Sequence, residues 1–91
     1  MDNNEIKNLI IKASFLKSKN VYITGDSQHL QIIAISDKFL GMSRVQKEQI
    51  IYAPLMKYII NKKIHSISIK TYSFNEWSHK KSYLINKNLI E

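Results

Sequence analysis

Gly25-Asp26-Ser27-Gln28-His29-Leu30-Gln31-Ile32-Ile33-Ala34-Ile35-Ser36 is the stretch on which the fold turns. Gly-Asp-Ser is turn chemistry: glycine accepts positive φ, and the short polar side chains bond back to their own backbone. The isoleucine-rich run that follows has strand length and β-branched content, and its near-continuous apolarity predicts burial on both faces. It is read as the central strand, with His29 at its leading end.

On the N-terminal side, residues 4–17 read as an amphipathic helix. Ile6, Leu9, Ile10, Ala13 and Leu16 recur at helical spacing, with Lys7, Lys12 and Lys17 elsewhere. Asp2 and Glu5 lie where acidic groups complement the positive end of a helix. Val21-Tyr22-Ile23-Thr24 is a short strand, core-facing through Val21 and Ile23. It joins the central strand by a hairpin whose expected loop has four or five residues, about Gly25 to Gln28.

On the C-terminal side, residues 36–42 form a connection. Ser43-Arg44-Val45-Gln46 is then a capping box, opening a helix that runs toward Asn61. Pro54 has no N–H for the carbonyl of Ile50 and restricts Ala53, so a kink or break is expected there. Residues 64–72 alternate apolar and polar, predicting a strand with Ile67 and Ile69 inward and Ser66, Ser68 and Lys70 wet. Ser73-Phe74-Asn75-Glu76 is a second capping box and opens a last helix through Trp77. The Lys-rich tail from Ser78 has weaker periodicity and is expected to fray.

A strand, a crossover helix and another strand in one sheet give a parallel pair. The order α-β-β-α(broken)-β-α therefore predicts a single α+β domain: a three-stranded mixed sheet with helices packed on one face, the core spanning about residues 4–78.

Composition bounds what such a domain does. Ninety-one residues, 44% hydrophobic, make one small core. No apolar run reaches the ~20 residues of a membrane helix, and the acidic, polar N-terminus is unlike a secretory signal. A cytoplasmic protein is the expectation. The absence of cysteine excludes a disulfide scaffold, a thiol nucleophile and any Cys-based metal site supplied by this chain alone. The net charge of +7 invites a nucleic-acid reading. All but one of the fourteen basic residues are Lys, however, and they are spread along a chain dominated by Ile, Lys and Asn, which favours a compositional skew and a solvated surface over a dedicated phosphate-binding face.

The topology has a chemical consequence. Parallel strands begin at the same edge of a sheet, so His29 and His65, thirty-six positions apart, should meet at one rim beside Lys62 and Lys63. Neighbouring strands are ~4.8 Å apart, within reach of a shared metal. Two imidazoles without a third ligand make an incomplete site, and a loop histidine and a strand histidine satisfied by backbone or water is the simpler reading. His79, in the Lys-rich tail, reads as a surface residue.

Several separated motifs in one order resemble the BolA family, and within it the bacterial IbaG (YrbA) branch. They are residues 25–34, then Phe39-Leu40-Gly41-Met42-Ser43-Arg44-Val45-Gln46-Lys47-Glu48-Gln49, then Tyr52-Ala53-Pro54-Leu55-Met56, and finally residues 64–72 with Glu76-Trp77. The resemblance covers roughly residues 4–78. It implies a class II KH-like fold and a non-enzymatic partner of a monothiol glutaredoxin, sharing a bridging 2Fe-2S cluster in iron–sulfur trafficking and iron homeostasis. By the same resemblance, His65 is the ligand at the start of the third strand and His29 the ligand from the loop before the second. The glutaredoxin would bring its cysteine and a glutathione thiol, an arrangement chemically akin to Rieske-type centres.

Two other classes compete. DNA binding, as in a BolA-type transcriptional regulator, would use Arg44, Lys47 and Lys70, yet the KH Gly-X-X-Gly clamp is missing: the glycines are Gly25 and Gly41. An enzyme is disfavoured, since no nucleophile–base–orienter set, phosphate loop or carboxylate pair can be assembled. Asp26 beside His29 is better explained as a turn-forming Asx residue. A second copy of the chain is left open as a partner.

Overall fold

Asp2 starts the chain's first helix by a reciprocal cap. Its carboxylate accepts from the Glu5 N–H at 2.8 Å while Glu5 accepts from the Asp2 N–H at 3.2 Å. In this computed structural model, which describes residues 1–87, the helix is α1, Asn3–Ala13. It ends four residues before the predicted limit because Ser14 turns its hydroxyl onto the Ile10 carbonyl at 2.7 Å and leaves the helical backbone. Leu16, predicted on the helix, is still buried, carried inward by the extended chain that follows.

β1 (Val21–Asp26) and β2 (His29–Ile35) pair antiparallel from Val21↔Ala34 to Asp26↔His29, leaving a two-residue turn, Ser27-Gln28. The hairpin is tighter than the four or five residues expected. Neither turn residue has positive φ, so the turn is not of the primed type whose twist matches a hairpin; Gly25, at φ 83°, absorbs the mismatch within β1. The Asp26 carboxylate accepts from the Gln28 N–H at 3.0 Å, the Asx turn expected from the sequence.

Ser43 and Gln46 cap α2 (Arg44–Tyr52) reciprocally, as their spacing predicts. Pro54 breaks the helix into a single 3-10 turn at Ala53–Leu55 and a short α3, Met56–Ile60. Lys62 then takes the left-handed conformation, φ 64°, that helix ends usually assign to glycine, and Ile64 N–H bonds back to the Tyr58 carbonyl at 2.9 Å. β3 (Ile67–Tyr72) follows, parallel to β2 in the register Leu30↔Ile67 to Ile35↔Tyr72. The sheet order is β1-β2-β3, with the isoleucine-rich strand at its centre.

One sheet face carries Val21, Ile23, Leu30, Ile32, Ala34, Ile67 and Ile69 against Ile6, Ile10, Ile51, Leu55 and Ile64 from the helical side. α4 (Phe74–Asn86) turns to the other face instead. Its Trp77 lies 5.5 Å from both Tyr22 and Tyr72, ring centre to ring centre, and closes over the end of the sheet where Ile35 is buried. β2 is therefore covered on both faces only at its C-terminal end. The helix continues through residues expected to fray; residues 88–91 of that tail lie outside the described residues.

The second capping box forms as read. Ser73 accepts from the Glu76 N–H, and the Glu76 carboxylate accepts from the Ser73 N–H at 2.8 Å, which holds Glu76 below the ordinary carboxylate range. Burial, and then the Glu76 charge, push the Tyr72 phenol up. No helix of the described residues is long and apolar enough to cross a membrane.

Candidate metal centre

The parallel register decides what stands at the leading rim of the sheet. Leu30 pairs with Ile67, and the pairing extends outward: Leu30 N–H donates to the Ser66 carbonyl at 3.0 Å, and His65 N–H donates to the Ser27 carbonyl at 2.7 Å. The lead-in to β3 is thus fastened to the β1–β2 turn. His29 and His65 occupy the same rim, one at the head of β2 and one two residues ahead of β3, and both are exposed.

His29 is held by two serines of the neighbouring chain segment, Ser66 in the lead-in to β3 and Ser68 within it. Its Nδ1 is 2.8 Å from Ser66 Oγ and its Nε2 3.2 Å from Ser68 Oγ. The alternation that makes Ser66 and Ser68 wet also puts both hydroxyls on the face to which the His29 ring turns. Ser66 in addition donates to the Gln28 carbonyl at 2.8 Å, tying the turn to β3. The His65 ring, by contrast, makes no hydrogen bond among the described residues. Asp26, the acidic neighbour of His29, is engaged by the turn instead.

Gly25 shapes this rim as well. A Cβ at position 25 would stand 2.2 Å from the His29 carbonyl oxygen, so the close approach of β1 to the histidine requires glycine sterically as well as conformationally. Asn3 at the start of α1 donates to the Gly25 carbonyl at 3.1 Å, bracing the turn from the other side. Lys62 and Lys63 flank the rim and are exposed.

Among the described residues, no three His, Cys, Asp or Glu side chains come together in a way that would hold a metal ion. The rim offers imidazole nitrogen from the head of β2 and from the lead-in to β3 and nothing softer, since the chain has no cysteine. Such a donor set fits half of a shared centre whose remaining ligands come from another molecule.

The other singled-out residues fall elsewhere. His79 donates from Nδ1 to the Asn75 carbonyl one turn back at 2.9 Å, a local helix contact. Arg44 pairs with Glu48 at 2.9 Å on α2, and Lys47, also on α2, lies near Glu76 at the start of α4. Lys70 alternates with the core residue Ile69 and so stands on the opposite face, in a groove of about 390 Å³ with Tyr22, Tyr72, Lys80 and Tyr83. Of the three cations read as a nucleic-acid set, two stand on α2 and the third on the sheet face opposite the core.

Sequence reasoning named both histidines and missed the serines that grip one of them. The signal was present: Ser66 and Ser68 stand at period two across the start of β3, beside His29. Using it required the parallel register, which the sequence does not print.

The comparisons agree with this architecture. A family model described as BolA-like protein matches residues 4–76. The acid stress protein IbaG of Escherichia coli strain K12 is 46% identical over 78 residues, covering 86% of this chain and 90% of that protein. An uncharacterized protein of Buchnera aphidicola subsp. Acyrthosiphon pisum is 51% identical over 81 residues, covering 89% of this chain and 99% of that one. Among solved structures, a BolA homologue from Coxiella burnetii superposes with a TM-score of 0.67 at 23% identity, over 86% of this chain and 97% of that chain. The BolA domain of SufE1 from Arabidopsis thaliana gives 0.65 at 20% identity, over 84% and 98%. At these identities the structural likeness speaks for the fold alone.

Proposed function

This chain belongs to the BolA-like protein family, and on that premise we propose that it is a non-enzymatic partner of a monothiol glutaredoxin, carrying a bridging 2Fe-2S cluster between them. The observation that carries the reading is the pair of exposed imidazoles brought to one rim by the parallel register, in a chain without a single thiol. His65 and His29 would supply nitrogen to one iron, while the glutaredoxin cysteine and a glutathione thiol supply sulfur to the other. The cluster is cargo, handled in iron–sulfur trafficking.

Within this reading the chain's own residues divide the work. His65 projects from a backbone pinned to Ser27 and keeps its ring free of hydrogen bonds among the described residues, open to a metal brought by the partner. His29 is held in place by its serines before any metal arrives. Lys62 and Lys63 place positive charge beside an anionic centre and the glutathione carboxylates.

Mixing the protein with a monothiol glutaredoxin, glutathione, ferrous iron and sulfide should yield a heterodimer whose visible circular dichroism differs from that of the glutaredoxin alone. His65→Ala should abolish that difference. An unchanged spectrum and complex in His65→Ala would remove the ligand assignment.

DNA binding as a BolA-type regulator is the second reading, and the separation of Arg44 and Lys47 from Lys70 weakens it. Affinity that collapses with salt without sequence preference would mark nonspecific charge; protection of a defined site at physiological salt would favour a regulator.

A further inference from the structure

The serine pair at the rim does more than hold a ring still. Ser66 Oγ has one proton and sits 2.8 Å from each of two neighbours, the Gln28 carbonyl oxygen and His29 Nδ1. A carbonyl oxygen only accepts, so the Ser66 proton is committed to Gln28. Toward His29 the same oxygen can then only accept. An unprotonated Nδ1 at that distance would face a serine lone pair with no hydrogen between them.

We propose that Ser66 is a positioning residue that fixes the tautomer of His29, obliging the neutral ring to carry its proton on Nδ1 and leaving Nε2 as the electron-pair donor. The use of that donor for iron rests on the function proposed above; the tautomer itself does not. Ser68 completes the arrangement. Its hydroxyl, 3.2 Å from Nε2, donates a long hydrogen bond to the exposed lone pair. Ser68 is an exposed residue, and rotation of its hydroxyl about one side-chain bond uncovers Nε2, whereas Ser66 is held on two sides and stays. One serine sets which nitrogen binds, and the other shields that nitrogen until it does. Assigning the proton through a hydrogen bond to the second ring nitrogen is how proteins commonly prepare a histidine for metal.

The test needs no metal at first. Long-range proton–nitrogen correlation spectra of the histidine-labelled, metal-free chain, taken about two pH units above the ordinary histidine value of ~6.5, report the tautomer of each ring. His29 should show a protonated Nδ1 and an unprotonated Nε2. Ser66→Ala should lose that preference, while Ser66→Thr, which keeps the hydroxyl, and Ser68→Ala should keep it. A wild-type His29 with its proton on Nε2, or a Ser66→Ala spectrum identical to wild type, overturns the proposal. The wild-type spectrum decides the tautomer even if a variant fails to fold.

The second arm joins the tautomer to iron. In the glutaredoxin complex, Ser66→Ala should lose the cluster to a chelator about tenfold faster than wild type. A changed tautomer with unchanged cluster lifetime would sever Ser66 from metal binding. A confirmed tautomer in a protein that forms no cluster-bridged heterodimer would instead defeat the glutaredoxin reading and leave the Ser66 assignment standing.

Discussion

His65 N–H donates to the Ser27 carbonyl at 2.7 Å, one strand-width from the residue that leads into His29. Through this bond the segment after the broken helix is sewn to the hairpin turn, although 38 positions separate the two residues in sequence. The rim therefore holds its shape only while both the turn and the lead-in to β3 hold theirs, and substitutions at either should be felt by the histidines.

Gly25→Ala tests the turn side. The new methyl meets the His29 carbonyl oxygen, and φ 83° disfavours any side chain. Loss of about 2 kcal/mol or more is expected, read as a lowered urea midpoint at unchanged slope. The His29 ring resonances should move with it. A variant as stable as wild type would mean the hairpin has another turn available.

On the lead-in side, Lys62→Gly should stabilise the protein. The left-handed backbone at Lys62 costs a non-glycine residue roughly 1 kcal/mol, while the extra freedom glycine gives the unfolded chain returns about half of that. A net gain of about 0.5 kcal/mol in urea unfolding is expected. Lys62→Ala, which keeps the strain and removes the charge, should show no such gain.

Leu55→Ala probes the helical break. Leu55 is fully buried directly after Pro54, in the same cluster as Ile10 and Ile51. Truncation should cost about 3 kcal/mol, the usual range for a leucine whose cavity cannot collapse. A cost below about 1 kcal/mol would show that the 3-10 turn repacks freely.

Acid sensitivity has an identifiable contributor at the start of α4. Hydrogen bonds from Ser73, the backbone one foremost, hold the Glu76 carboxyl below its ordinary range. A depressed acid stabilises the fold above the ordinary carboxylate value of ~4.3, and that contribution fades as pH falls through the lower folded value. Glu76→Gln keeps a capping side chain and removes the titration. Its urea midpoint should fall less steeply than that of wild type between about pH 5 and pH 3. Parallel curves would place the acid sensitivity elsewhere.

Much of this molecule was legible in the chain because its local signals agree with its topology. Two capping boxes, Ser43 with Gln46 and Ser73 with Glu76, start helices where they stand, and Pro54 breaks the helix it interrupts. The crossover rule then sets β3 parallel to β2 and brings the histidines to one rim. What escaped were outcomes decided by competition between neighbours. Ser14 ends α1 early by taking the Ile10 carbonyl, although Leu16 continues the helical spacing. α4 settles on the face opposite the other helices because Tyr22, Ile35 and Tyr72 offer Trp77 a seat there. The serine grip on His29 depends on register between strands, which no single stretch encodes.

Trp77 is the chain's sole tryptophan, and it sits at the trailing end of the sheet, roughly 20 Å of strand away from the histidines at the leading end. Nature has thereby installed a fluorescent gauge of tertiary integrity remote from the chemistry. In the metal-free protein, an alteration at positions 29, 65 or 66 that leaves this indole's emission untouched has rewired the rim without loosening the rest, so binding defects and folding defects can be told apart in one cuvette.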